Sequence, residues 1–119
     1  MSLKIARFPV GIAEIAAHAN CSSPSGRKLC KAVFDVFTGV FAYGGALHAD
    51  EEDALVDEGA LPENLWGVNL YPEFFGSDAF IEYDSMINVK PWAGNRSRGV
   101  DDPSVRAKIA ALASRSVTA

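Results

Sequence analysis

No run of apolar residues in this sequence approaches the roughly 18 needed to cross a bilayer. The opening Met1-Ser2-Leu3-Lys4 leads into mixed residues where a secretory signal would place an apolar stretch. Membrane association is therefore not expected, and the cytoplasm is the expected location. Cysteine is scarce: Cys21 and Cys30 allow one bridge at most, and their spacing fits neither a C-x-x-C redox motif nor a zinc pair. Both thiols are expected to be reduced, with Cys30, in an apolar stretch, in the core. Stability then has to come from burial of apolar side chains. Histidine is equally sparse, His18 and His48 lie far apart, and no H-E-x-x-H, no G-x-S-x-G and no G-x-x-x-x-G-K-[ST] is present. No cofactor is implied.

Lysine and arginine are missing from one long stretch. From Asp50 to Asp84 there are eleven acids and no base, whereas residues 1 to 49 carry five bases against two acids and residues 85 to 119 six against two. The acidic block can answer the basic flanks within one fold, bind a cation, or face a basic partner. The net charge of -4 argues against general nucleic-acid binding, which favours a basic domain.

What is present is a chain of 119 residues, 49% hydrophobic and 22% charged, the size and composition of one folded domain. Leu3 to Phe8 reads as a short strand. Ile12, Ile15, Ala16 and Ala19 recur at helical spacing and predict a helix from about Gly11 to Asn20. The small polar cluster from Asn20 to Gly26 reads as loop. Cys30 to Phe37 and Val40 to Tyr43 are rich in β-branched and aromatic residues and flank Thr38-Gly39, which predicts a β-hairpin. Leu47 to Glu58 has helix-forming composition with acids in its first turns and Gly59 as its stop.

Asn64 to Tyr71 alternates, placing Trp66, Val68 and Leu70 on one face and Asn69 and Tyr71 on the other. Ala79 to Lys90 reads as the longest strand. Asp102-Pro103 is an N-cap and first helical position for a final helix reaching about Ser114, with Val105, Ile109 and Leu112 as its apolar stripe. The order β-α-β-β-α-β-β-α, dominated by local hairpins, predicts a single α+β domain: a mainly antiparallel sheet of about five strands, with about three helices able to cover one sheet face.

Four segments carry a resemblance. They are Gly44-Gly45-Ala46-Leu47-His48-Ala49-Asp50, Trp66-Gly67-Val68-Asn69-Leu70-Tyr71-Pro72, Ile81-Glu82-Tyr83-Asp84-Ser85-Met86-Ile87-Asn88, and Gly94-Asn95-Arg96-Ser97-Arg98 with Asp102-Pro103. In order, from about Lys31 to Ile109, the chain resembles a family of short bacterial proteins catalogued as a domain of unknown function. The resemblance implies a single compact domain and, since the family carries no assigned activity, transfers no catalytic residue.

The residues themselves offer several chemistries. Arg96 and Arg98, among flexible glycines just before a helix N-terminus, can hold a phosphate or carboxylate. Equally, they can pair with Asp101, Asp102 or the acidic block while Asn95 shapes the turn. His48 with Asp50, Glu51, Glu52 and Asp53 supplies metal-type ligands, but without a second histidine nearby the acids suit a helix start better. Ser85 beside Asp84 supplies nucleophile and acid only as residue types, and Glu82 with Asp84 could do acid-base work from one strand face.

The aromatic set around Trp66, Phe80 and Trp92 can fill the core or form a homodimer contact. The leading expectation is a small noncatalytic binding or interaction protein. Its ligand-facing surface combines Asn69, Tyr71, Asp84 and Asn88 with Asn95, Arg96 and Arg98, and its partner is a small anionic ligand or a protein. The competing expectations are a small enzyme, such as a hydrolase, using His48 and carboxylates, and a homodimeric interaction subunit joined through Trp66 and Phe80.

Overall fold

The computed structural model describes residues 3–20 and 26–119. The predicted loop around Cys21 falls mostly on residues 21–25, outside the described ones. In chain order the elements are β1 (Lys4–Ala6), β2 (Val10–Gly11), α1 (Ile12–Ala17), β3 (Cys30–Asp35), β4 (Phe41–Tyr43), α2 (His48–Asp57), β5 (Leu65–Leu70), β6 (Ile81–Glu82), α3 (Pro103–Ser116) and β7 (Val117–Thr118). Five strands form one antiparallel sheet in the order β1-β4-β3-β5-β6, and β2 and β7 pair in parallel as a small separate ribbon. The domain is α+β, with three α-helices among the described residues. Among the described residues no helix is long and apolar enough to cross a membrane.

Alternation along the strands sorts the side chains onto two faces. One face carries Ala32, Phe34, Phe41, Trp66 and Val68 and is covered by Ile15 of α1 and Ile109, Leu112 and Ala113 of α3. Phe34 and Phe41 stack there with ring centroids 4.8 Å apart. Cys30 is a free thiol in this core, and burial pushes its pKa up to about 12. The opposite face carries a smaller cluster, Val33, Ala42, Leu55 and Leu65, in which α2 packs through Leu55. The helices therefore lie on both faces, not on the single face expected, because β3 and β5 alternate apolar groups to both sides and each side needs a cover.

The stretch from Ala79 to Lys90 also differs from expectation. Only Ile81–Glu82 is strand, and short 3-10 turns occupy Asp78–Phe80 and Met86–Asn88. Two polar side chains divert the chain. Ser85 Oγ accepts from Ile87 N at 3.3 Å and opens the second turn, and Asn88 then takes the place of a strand neighbour for β5. Gly67 N donates to Asn88 Oδ1 at 2.8 Å, and Asn88 Nδ2 donates to Gly67 O at 2.9 Å. Close approach needs glycine at position 67: a Cβ there would sit 2.6 Å from Ser85 Oγ.

Part of the acidic block is used inside the fold. Glu58 pairs with Arg7, Glu73 with Arg27 at 3.0 Å, and Asp84 with Arg98 at 2.6 Å, so acids of the middle third answer bases of both flanks.

Candidate functional site

On the α2 side of the sheet the smaller apolar cluster stops short of the β6 edge and leaves a cleft of about 500 Å³. Its floor comes from register. Lys31 of β3 is the pairing partner of Asn69 of β5, and Asn69 is in turn the partner of Glu82 of β6. Directly opposed residues share a sheet face, so a cation, an amide and a carboxylate lie in one row across three adjacent strands. Leu47, His48 and Ala49 at the start of α2 form one wall, and the segment from Asp84 to Ile87 with Arg98 forms the other.

The row is polar and only partly satisfied. Asn69 is 5% exposed. Its Nδ2 donates to Glu82 Oε1 at 2.8 Å and to the Asp84 carbonyl at 3.3 Å, while its Oδ1 is buried with no hydrogen-bond partner among the described residues. The amide orientation follows from chemistry: rotating it would aim Oδ1 at a carboxylate and a carbonyl, two acceptors. Tyr71 OH also donates to Glu82 Oε1, at 2.9 Å. Lys31 makes no ion pair among the described residues.

His48 is 8% exposed, and its Nε2 lies 2.8 Å from the Val68 carbonyl. A carbonyl only accepts, so Nε2 carries the hydrogen and Nδ1 keeps its lone pair. Burial lowers the His48 pKa to about 4, the charges of Lys31 and Arg98 push the same way, and the Val68 contact and Asp84 oppose them. The imidazole is neutral at physiological pH.

Four of the seven residues singled out from sequence, Asn69, Tyr71, Asp84 and Arg98, line this cleft, and His48 from the enzyme reading lines it with them. The other three do not. Asn88 is fully buried, with its amide spent on Gly67 and on the Arg98 carbonyl at 2.9 Å. Asn95 donates to the carbonyls of Asn88, Ser97 and Gly99 and accepts from Asp101 N, which ties the loop into one knot. Arg96 is exposed, and its backbone N–H donates to Asp101 Oδ2 at 3.1 Å.

The acids near His48 in sequence also go elsewhere. Asp50, Glu51, Glu52 and Asp53 are absent from the cleft lining, and Glu51 is buried beneath α2 with Oε2 accepting from Gly45 N at 2.9 Å. Burial pushes the Glu51 pKa up to about 9. Among the described residues no group of three or more His, Cys, Asp or Glu side chains is arranged to hold a metal.

Sequence reasoning passed over Lys31 as a ligand group. A lone lysine inside an apolar strand reads as a solvated position, and only the strand register brings it beside Asn69.

A family model described as "Protein of unknown function (DUF5674)" matches residues 12–116. The chain belongs to this family. The match extends further toward the N-terminus than the motif resemblance, which began near Lys31, and takes in α1 as well as the cleft and α3. Neither the curated proteins nor the solved structures contain a match.

Proposed function

We propose that the chain is a small-ligand-binding protein and that the cleft over Lys31, Asn69 and Glu82 is its binding site. The observation that carries this reading is the Asn69 Oδ1, a buried acceptor without a donor on the cleft floor. Native interiors pair nearly all such atoms, so an orphan lining a polar cleft of ligand size is best explained by a donor that arrives with the ligand. Lys31 supplies the anion-attracting group that the sequence suggested for an arginine loop, with Arg98 paired to Asp84 in the cleft wall and Arg96 outside the cleft.

A small hydrolase is the second reading, favoured by the neutral imidazole of His48 beside carboxylates. It is the weaker one. A histidine held near pKa 4 is a poor base at neutral pH, and Ser85 is 1% exposed with its Oγ turned to Ile87 N and no hydrogen bond to His48. Self-association through the aromatic strand has less support still, because Trp66 and Phe80 are taken up by the core. A cytoplasmic setting accords with the free buried thiol of Cys30.

A thermal-shift screen of small polar compounds against wild type, Lys31→Met and Arg96→Ala tests the reading, since a ligand stabilises the folded state by mass action. The cleft predicts compounds whose shift is lost in Lys31→Met and kept in Arg96→Ala. The reverse pattern would return the site to the loop, and no shift with any compound would contradict a small-ligand role.

A further inference from the structure

Building on the reading of the cleft as a binding site, we infer that its ligand is a small zwitterion, a molecule carrying one anionic group, such as a carboxylate, and one ammonium group. The charges that line the cleft sum to zero, with Lys31 and Arg98 against Glu82 and Asp84 and a neutral His48, yet they are not evenly spread. Arg98 Nε is already committed to Asp84 Oδ1 at 2.6 Å, which leaves Lys31 and Glu82 as the two formal charges at the ends of the Lys31-Asn69-Glu82 row.

At the Lys31 end stands the start of α2, a ten-residue helix whose N-cap, Leu47, provides no side-chain cap. Its first turn already carries Asp50 and Glu51, which answer the dipole, so the attraction for an anion at this end comes from Lys31. At the other end the Glu82 carboxylate lines the cleft, next to the Asn69 amide whose buried Oδ1 has no donor among the described residues. An ammonium group brings three donors and a positive charge, which suits that set of acceptors.

Simpler ligands leave part of this arrangement unanswered. A plain carboxylate would satisfy Lys31 but leave Asn69 Oδ1 buried without a donor and set a like charge beside Glu82. A plain amine would do the opposite. Neighbouring strands lie about 4.8 Å apart, so the row spans roughly 10 Å between its outer backbones. That distance, shortened by the lysine stem, accommodates α-amino acids and their longer ω-amino relatives.

The test is a titration of the full chain, followed by nuclear magnetic resonance of backbone amides, with three matched probe series: free L-amino acids with ω-amino acids, their deamino carboxylates, and their decarboxylated amines. The expected result is perturbation centred on Lys31, His48, Asn69 and Glu82 by members of the first series, with affinity about tenfold or more below it for both truncated series, as for a site whose buried polar groups lose their partners. Lys31→Met is expected to bring zwitterions down to the level of the amines. Glu82→Gln keeps an acceptor for Asn69 and Tyr71 while removing the charge, and is expected to bring zwitterions down to the level of the carboxylates. Carboxylates or amines binding at the cleft as tightly as zwitterions would overturn the zwitterion assignment and leave the cleft as a binding site. Binding at the cleft only by neutral sugars, nucleosides or inorganic phosphate in a parallel set would do the same. No perturbation of the cleft by any probe would overturn both readings.

Discussion

Three asparagines are buried on or beside β5, and their surroundings differ. Asn88 and Asn95 spend both ends of their amides on backbone groups of Gly67, Arg98, Asn88, Ser97, Gly99 and Asp101, whereas Asn69 donates to Glu82 and Asp84 and leaves its oxygen unpaired. The saturated pair replaces ladder bonds that an irregular segment cannot make for itself. The unsaturated one keeps bonding capacity in a cleft. In a small domain the distinction between an architectural and a ligand-facing amide is thus visible in the count of partners, not in burial, which is nearly the same for all three.

The sharpest way to break this comparison is Asn88→Ala. It strips this side-chain partner from Gly67 N and Gly67 O and leaves the Arg98 carbonyl with the Ser85 N–H alone, and the unpaired buried groups make the expected loss about 4 kcal/mol in urea denaturation. A loss under about 1 kcal/mol would show that Asn88 is no more structural than Asn69.

Next in size is a pH effect that separates the cleft from the layer beneath α2. Glu51, raised to about 9 from an ordinary 4.5, binds its proton more tightly in the folded chain, so its contribution is fully present below pH 4.5 and lost as pH rises toward 9. His48, lowered from 6.5 to about 4, contributes stability above pH 6.5 that is lost as pH falls toward 4. The two oppose each other between pH 4.5 and 6.5, and Glu51 alone acts above that window. Stability should therefore fall by roughly 3 kcal/mol between pH 6.5 and 9. Glu51→Gln, which imitates the protonated acid, should flatten that slope. An unchanged slope in the variant would assign the effect to other groups.

A packing effect follows. Gly67→Ala forces a Cβ against Ser85 Oγ and Cβ, at 2.6 and 2.7 Å, and should cost about 2 kcal/mol of thermal or urea stability. It should also loosen the wall of the cleft formed by residues 84–87. The smallest effect belongs to Asn69→Ala, about 1 kcal/mol or less, because the lost donor bonds are partly offset by removing an unpaired oxygen. Its expected signature is loss of ligand binding with near-normal stability, measured by titration beside denaturation. A variant as unstable as Asn88→Ala would make Asn69 architectural.

The parts of the fold that rest on local patterns were readable from the sequence. The β-branched and aromatic content of Cys30–Asp35, the alternation through Leu65–Leu70, the glycine turn at Gly39 with φ of 83°, and the Asp102-Pro103 start of α3 each carry their signal within a few residues. Ala79–Lys90 was misread because its alternation is genuine in sequence but overruled by Ser85 and Asn88, whose side chains bond backbone nearby and 21 residues away. The short β2–β7 ribbon, pairing Val10 with Val117, has too few residues to show any period.

The candidate site was half readable. Asn69, Tyr71, Asp84 and Arg98 stood out as polar residues in patterned segments. Glu82 stood out too, as the acid-base partner of Asp84, while the inclusion of Lys31 and the exclusion of Arg96 depended on register and loop path, which no local pattern encodes.

The measurement that bears most directly on the cleft is a crystal structure detailed enough to show ordered water and small bound molecules around Asn69. The account predicts a hydrogen-bond donor from outside the chain, a water or a bound molecule, about 2.7–3.2 Å from Asn69 Oδ1 within the cleft. An Asn69 amide whose oxygen instead accepts from a donor of the protein itself, with the cleft collapsed over it, would contradict the claim that this atom marks a binding site.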